Sequence, residues 1–132
     1  MRMITNEAFR ATILKYVDCP SEMVTAIAEP ETFDIRPITT GVLFFLLQAN
    51  SFSLAAIRHF TRCLHELHIP EMRFYILERE CCEETTISLT GAVQHAAGEL
   101  FFIKDGGIVG CKWSLTPCEK LQAATKQILA VE

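Results

Sequence analysis

The apolar positions of this chain change period at one sharp junction. From Gly41 the run G-V-L-F-F-L-L is hydrophobic on both alternating faces, which fits a central strand covered on both sides. The loop Q-A-N-S-F-S follows, and helical spacing then takes over. Ile57, Phe60, Leu64 and Leu67 form one buried stripe that Pro70 ends. M-R-F-Y-I-L-E, residues 72–78, is rich in aromatic and branched residues and reads as a second strand. Residues 85–97 are weakly helical. Residues 99–113 read as two short strands joined by Asp105, Gly106 and Gly107, a strong hairpin signal. Thr116-Pro117-Cys118-Glu119 combines a Thr N-cap, Pro at the first helical position and Glu three residues after the cap, and opens a helix that runs to Ala130.

Upstream, Met3 and Ile4 could start a short strand. Asn6 is placed to cap a helix with Phe9 and Ile13 on one face. Residues between Pro20 and Pro30 are read as a second short helix, and residues 31–40 as extended or looped. From residue 41 the order is strand, helix, strand, short helix, hairpin, helix. This predicts a three-layer α/β domain over 41–132, its mixed central sheet flanked by helices, with a packed N-terminal helical extension over 1–40.

Composition narrows the function classes. The 132 residues suit one compact domain, and half of them are hydrophobic, so a real core is within reach. A net charge of −4 without clustered Lys and Arg argues against nucleic acid. The longest apolar stretch is far below the roughly 20 residues a membrane helix needs. The N-terminus turns polar within a few residues, so a cytoplasmic protein is expected. Six cysteines are present, Cys19, Cys63, Cys81, Cys82, Cys111 and Cys118, and in a reducing compartment free thiols are the expectation.

Several stretches resemble a known family: G-V-L-F-F-L-L-Q-A-N-S-F-S-L-A-A, then E-R-E-C-C-E-E-T-T-I-S-L-T-G, then Q-H-A-A-G-E-L-F-F-I-K-D-G, then Trp113 before the last helix. Over residues 41–129 the chain is similar to thioredoxin-fold proteins, and among them to the monothiol bacilliredoxins, which are linked to bacillithiol. The resemblance implies a thioredoxin-like fold and thiol–disulfide chemistry at the loop after the first strand. In that family a redox cysteine followed by proline occupies this loop, where this chain has Ser51 and Phe52. The family's cis-proline corresponds to Gly98. A serine cannot form a mixed disulfide. Ser51 or Ser53 can instead cap the helix that follows.

Other candidate chemistry is weaker. Cys81 and Cys82 are the alternative redox thiols, but the four carboxylates of E-R-E-C-C-E-E suppress thiolate. Cys118 lies in the first turn of the last helix, where the dipole favours an anion; a packing or capping role is expected. Cys111 belongs to an edge strand and Cys19 to a Pro-flanked turn. His59, Cys63, His65 and His68 share helical faces in pairs, yet the four do not converge as zinc ligands do, so no metal is expected. A Ser51–His95–Glu99 constellation can be drawn but lacks an oxyanion motif. Trp113, Phe101 and Phe102 read as core residues.

The functional expectation is a redox-inactive binding module that meets a protein partner through Ser51, Phe52, Ser53 and Gly98, without a cofactor. The alternative is a bacilliredoxin-like oxidoreductase that acts on a low-molecular-weight thiol through a non-standard cysteine.

Overall fold

The doubly apolar run is the centre of the molecule. In the computed structural model, which describes residues 6–29, 32–46, 51–78 and 98–131, it forms β2 (Thr40–Leu46). Every side chain from Val42 to Leu46 is fully buried. β2 pairs in parallel with β3 (Arg73–Glu78) on one side and antiparallel with β4 (Glu99–Lys104) on the other. β5 (Gly107–Trp113) continues from β4 as a hairpin, and β1 (Val24–Ile27) closes the far edge in parallel with β3. The strand order is β1-β3-β2-β4-β5.

Alternation along each strand sorts the core into two faces. Val42, Phe44, Leu46, Phe74, Ile76, Leu100 and Phe102 point to one of them. Among the described residues three helices cover that face: α1 (Asn6–Leu14) through Phe9 and Ile13, α2 (Ser51–His65) through Ile57, Phe60 and Leu64, and α3 (Cys118–Leu129) through Leu121 and Leu129. Phe60 sits between Phe44 and Phe74, with ring centroids 5.2 and 5.8 Å away. Leu43, Phe45, Leu77, Phe101 and Ile103 line the other face, against Phe33, Ile35 and Ile38 of the β1–β2 connection.

The helix expected between Pro20 and Pro30 is instead a 3₁₀ turn, Ser21–Met23, followed by β1. Val24, Thr25 and Ile27 are β-branched, and the strand buries Val24 and Ala26 beside Phe74 and Ile76. So short a window between prolines cannot sustain a helix, and sheet pairing wins. Residues 1–40, read as a helical extension, thus supply a strand of the sheet itself. The strand placed at Met3 and Ile4, and the weak helix over 85–97, lie outside the described residues.

The hairpin forms as its sequence predicts. Asp105 and Gly106 both have positive φ, 49° and 80°, as a type I′ turn requires. Their amides donate to Thr39 O and Ile38 O at 2.9 and 2.8 Å, so the turn clasps the β1–β2 connection. No described helix is long and apolar enough to cross a membrane.

Candidate functional site

α2 starts five residues after the last residue of β2, and the pairing register brings the start of β4 and the end of β5 to the same edge as the end of β2. Three candidate residues of the sequence analysis meet there. Ser51 is the first residue of α2, and Phe52 is the second. Gly98, just before β4, has φ +111°. A Cβ on Gly98 would fall 2.8 Å from the Phe52 ring, 3.2 Å from Trp113 Nε1 and 3.3 Å from Ser114 Oγ. Glycine here therefore answers both a backbone and a packing requirement, and its φ is far from the roughly −65° of proline.

Phe52 stacks on Trp113, with ring centroids 6.0 Å apart and planes inclined at 25°. Trp113, expected in the core, is instead 54% exposed. It ends β5, and no further strand pairs beyond β5 among the described residues. A pocket of about 340 Å³ opens beside it, lined by Glu99, Cys111, Lys112 and Trp113. Ser53 is fully buried, and its Oγ has no hydrogen-bond partner among the described residues, so it does not cap α2 there. It stands two residues inside the helix and not at its N-cap. The hydroxyl of Ser114, beside Gly98, is likewise buried and has no partner among the described residues.

The turn after Trp113 leads to a second cluster. Thr116 does not cap α3: its hydroxyl donates to Trp113 O at 2.6 Å, and the helix begins at Cys118 with Pro117 at the N-cap position. Cys118 is disulfide-bonded to Cys63 of α2, which corrects the expectation of free thiols for these two. Cys63 is fully buried and Cys118 half-buried. His59, one turn before Cys63, has Nδ1 and Nε2 3.9 and 3.8 Å from Cys63 Sγ. His59 Nε2 also lies 2.7 Å from Thr116 O. A carbonyl only accepts, so Nε2 carries the proton and Nδ1 is left as the acceptor. Gln122 of α3 donates to Cys63 O at 2.7 Å and to Glu66 Oε2 at 3.3 Å, closing the seam between the helices.

The remaining candidates are scattered. His65, the last residue of α2, and His68, in the turn after it, lie 5.7 Å apart between ring centroids. Among the described residues no three His, Cys, Asp or Glu side chains gather as a metal site. Cys111 is an exposed free thiol on β5. Cys19 is a half-buried free thiol; burial, then the Asp18 and Glu22 carboxylates, push it up to about 11. Cys81, Cys82 and His95 lie outside the described residues. A second cleft of about 590 Å³ opens at the other end of the sheet, where Thr25, Phe33, Thr40, Arg73 and Tyr75 line it. It is remote from both clusters.

Sequence reasoning missed the Cys63–Cys118 pair because its members stand 55 positions apart and only helix packing brings them together. The i,i+4 spacing of His59 and Cys63 was a legible half of the signal. Exposure of Trp113 carried no sequence signal, since an aromatic beside a hairpin is usually buried.

No protein-family model matches the chain, and no curated protein sequence matches it. Among solved structures, it is similar to a provisionally assigned oxidoreductase with a thioredoxin fold, at 15% identity and a TM-score of 0.61, covering 80% of this chain and 95% of that one. It is also similar to a point mutant of thioredoxin from Halobacterium salinarum NRC-1, at 10% identity and a TM-score of 0.55, covering 86% of this chain and 96% of that one. Together with the strand order, these likenesses establish that the chain has a thioredoxin-like fold.

Proposed function

We propose that this protein is a thioredoxin-like binding module whose partner, another protein, docks on the surface formed by Phe52, Gly98 and Trp113. The observation that carries this reading is the half-exposed indole of Trp113, held in place by its stack on Phe52 and bordering a pocket of about 340 Å³. Tryptophan is among the residues that most often dominate binding energy, and a pre-stacked ring loses little conformational freedom on docking. The resemblance to monothiol bacilliredoxins supports the same reading. By that resemblance Ser51 and Phe52 stand where the family carries its cysteine and proline, so the start of α2 lacks the nucleophile and offers an aromatic side chain. The oxidoreductase alternative has a separate basis, the Cys63–Cys118 bond.

The test is a peptide-display selection against the intact protein, with affinities measured by fluorescence. Trp113→Ala should weaken selected ligands by about 2 kcal/mol or more, roughly thirtyfold, with the circular dichroism spectrum unchanged. Ligands that bind the variant as tightly as the parent would overturn the proposal.

A further inference from the structure

We infer that Cys63 and Cys118 form a reversible redox pair that exchanges with low-molecular-weight disulfides and thiols, with Cys118 as the sulfur that meets them and His59 as the proton acceptor for Cys63. This inference does not depend on the binding reading. It rests on three features of the seam between α2 and α3. Access is asymmetric: Cys63 is fully buried whereas Cys118 is half-buried in the first turn of α3. An external sulfur can therefore approach only Cys118, at a helix end whose free amides favour a thiolate. The buried partner has an imidazole beside it: His59 Nε2–H is held by Thr116 O at 2.7 Å, and the ring lies against Cys63 Sγ, with Nδ1 and Nε2 3.9 and 3.8 Å away. Finally, Gln122 pins the Cys63 carbonyl at 2.7 Å and so keeps the seam aligned when the sulfurs separate.

The chemistry balances in two steps. In the reduced protein the Cys118 thiolate attacks a disulfide R–S–S–R, forming Cys118–S–S–R and releasing R–S⁻. Cys63 then transfers its proton to His59 Nδ1, and its sulfur attacks Cys118 Sγ. The Cys63–Cys118 bond forms, and the second R–S⁻ departs. The two protons lost by the cysteines pass to the released thiolates through His59 and solvent, so the sum is one disulfide reduced and two thiols oxidised. The reverse direction, with a thiol as reductant, opens the bond at Cys118.

The probe is oxidised glutathione added to the reduced, folded full-length chain, with adducts mapped to individual cysteines by peptide mass spectrometry. In the parent protein the Cys118 adduct should be transient and give way to the Cys63–Cys118 bond. Cys63→Ser should trap the adduct on Cys118. Cys118→Ser should leave Cys63 unlabelled in the folded state. His59→Gln, which can still donate to Thr116 O but lacks the base, should form the Cys118 adduct at the parental rate and resolve it at least about tenfold more slowly. A purely structural histidine would not separate these two rates. Three results would each overturn the inference. In one, Cys63→Ser fails to trap an adduct on Cys118. In another, His59→Gln resolves the adduct as fast as the parent. In the third, the native Cys63–Cys118 bond stays closed in millimolar dithiothreitol and opens only after unfolding.

Discussion

Gly98 shows how one residue can decide the shape of a surface. Its φ of +111° is poorly tolerated by any side chain, and a methyl group there would meet the Phe52 ring at 2.8 Å. Gly98→Ala should cost about 1–3 kcal/mol and displace Phe52 from the indole. Trp113 is the chain's single tryptophan, so its emission reports that displacement directly alongside the denaturation midpoint. The sequence singled out Gly98 only through a family resemblance. The reason for glycine there, a positive φ beside an aromatic ring, was not legible, because no local pattern encodes which ring will stand opposite. Cys19 makes a different residue-scale prediction. The folded thiol holds its proton to about 11, against 9.0 unperturbed, chiefly through burial. Between those values the unfolded chain loses the proton first, so stability is full below about pH 9 and falls as pH rises towards 11. Urea midpoints measured from pH 8 to 11 should show this slope, and Cys19→Ala should lessen it.

The elements that were legible in the sequence are those whose local signals agree with their packing. β2 is apolar on both faces because both faces are covered, and α2 carries its stripe towards the sheet. The β4–β5 turn could be read from Asp105 and Gly106 alone. The structure adds that Gly106 is wedged against the β1–β2 connection, where a Cβ would lie 2.6 Å from Arg36 O. Gly106→Ala should therefore destabilise by about 1–3 kcal/mol, since neither the backbone carbonyl nor the φ of +80° can yield cheaply. β1 was not legible, because its four residues lie between prolines and gain their strand character from β3. The end of α3 offers the opposite substitution. Ala130 is left-handed at φ 53°, and the amides of Ala130 and Val131 close the helix onto Gln127 O and Lys126 O. Ala130→Gly should raise the melting temperature by relieving about 1–2 kcal/mol of left-handed strain, less the roughly 0.4–1 kcal/mol entropy cost of glycine.

At the scale of the molecule, the first forty residues decide whether the sheet can stand. They supply Phe9 and Ile13 to one face, Phe33, Ile35 and Ile38 to the other, and β1 to the edge. A chain that starts at Gly41 should fail to unfold cooperatively in urea, and a sharp transition with parental m-value would show the opposite. Fold class was readable from element order, because a strand–helix–strand unit followed by a hairpin and helix leaves few topologies. The Cys63–Cys118 cluster was not readable, since it depends on how α2 and α3 meet over the sheet. Their bond closes a loop of 55 residues, and in the chain-entropy account a loop of that length stabilises by about 4 kcal/mol.

That bond also makes a covalent ring of the chain from Cys63 to Cys118, with β3, β4 and β5 inside it and α1, β1 and β2 outside. A protease that cuts one peptide bond within the ring opens it without parting the molecule. The two pieces then migrate as a single band until a reductant is added. Limited digestion followed only on reducing gels would therefore register as fragmentation a cut that the intact disulfide still holds together.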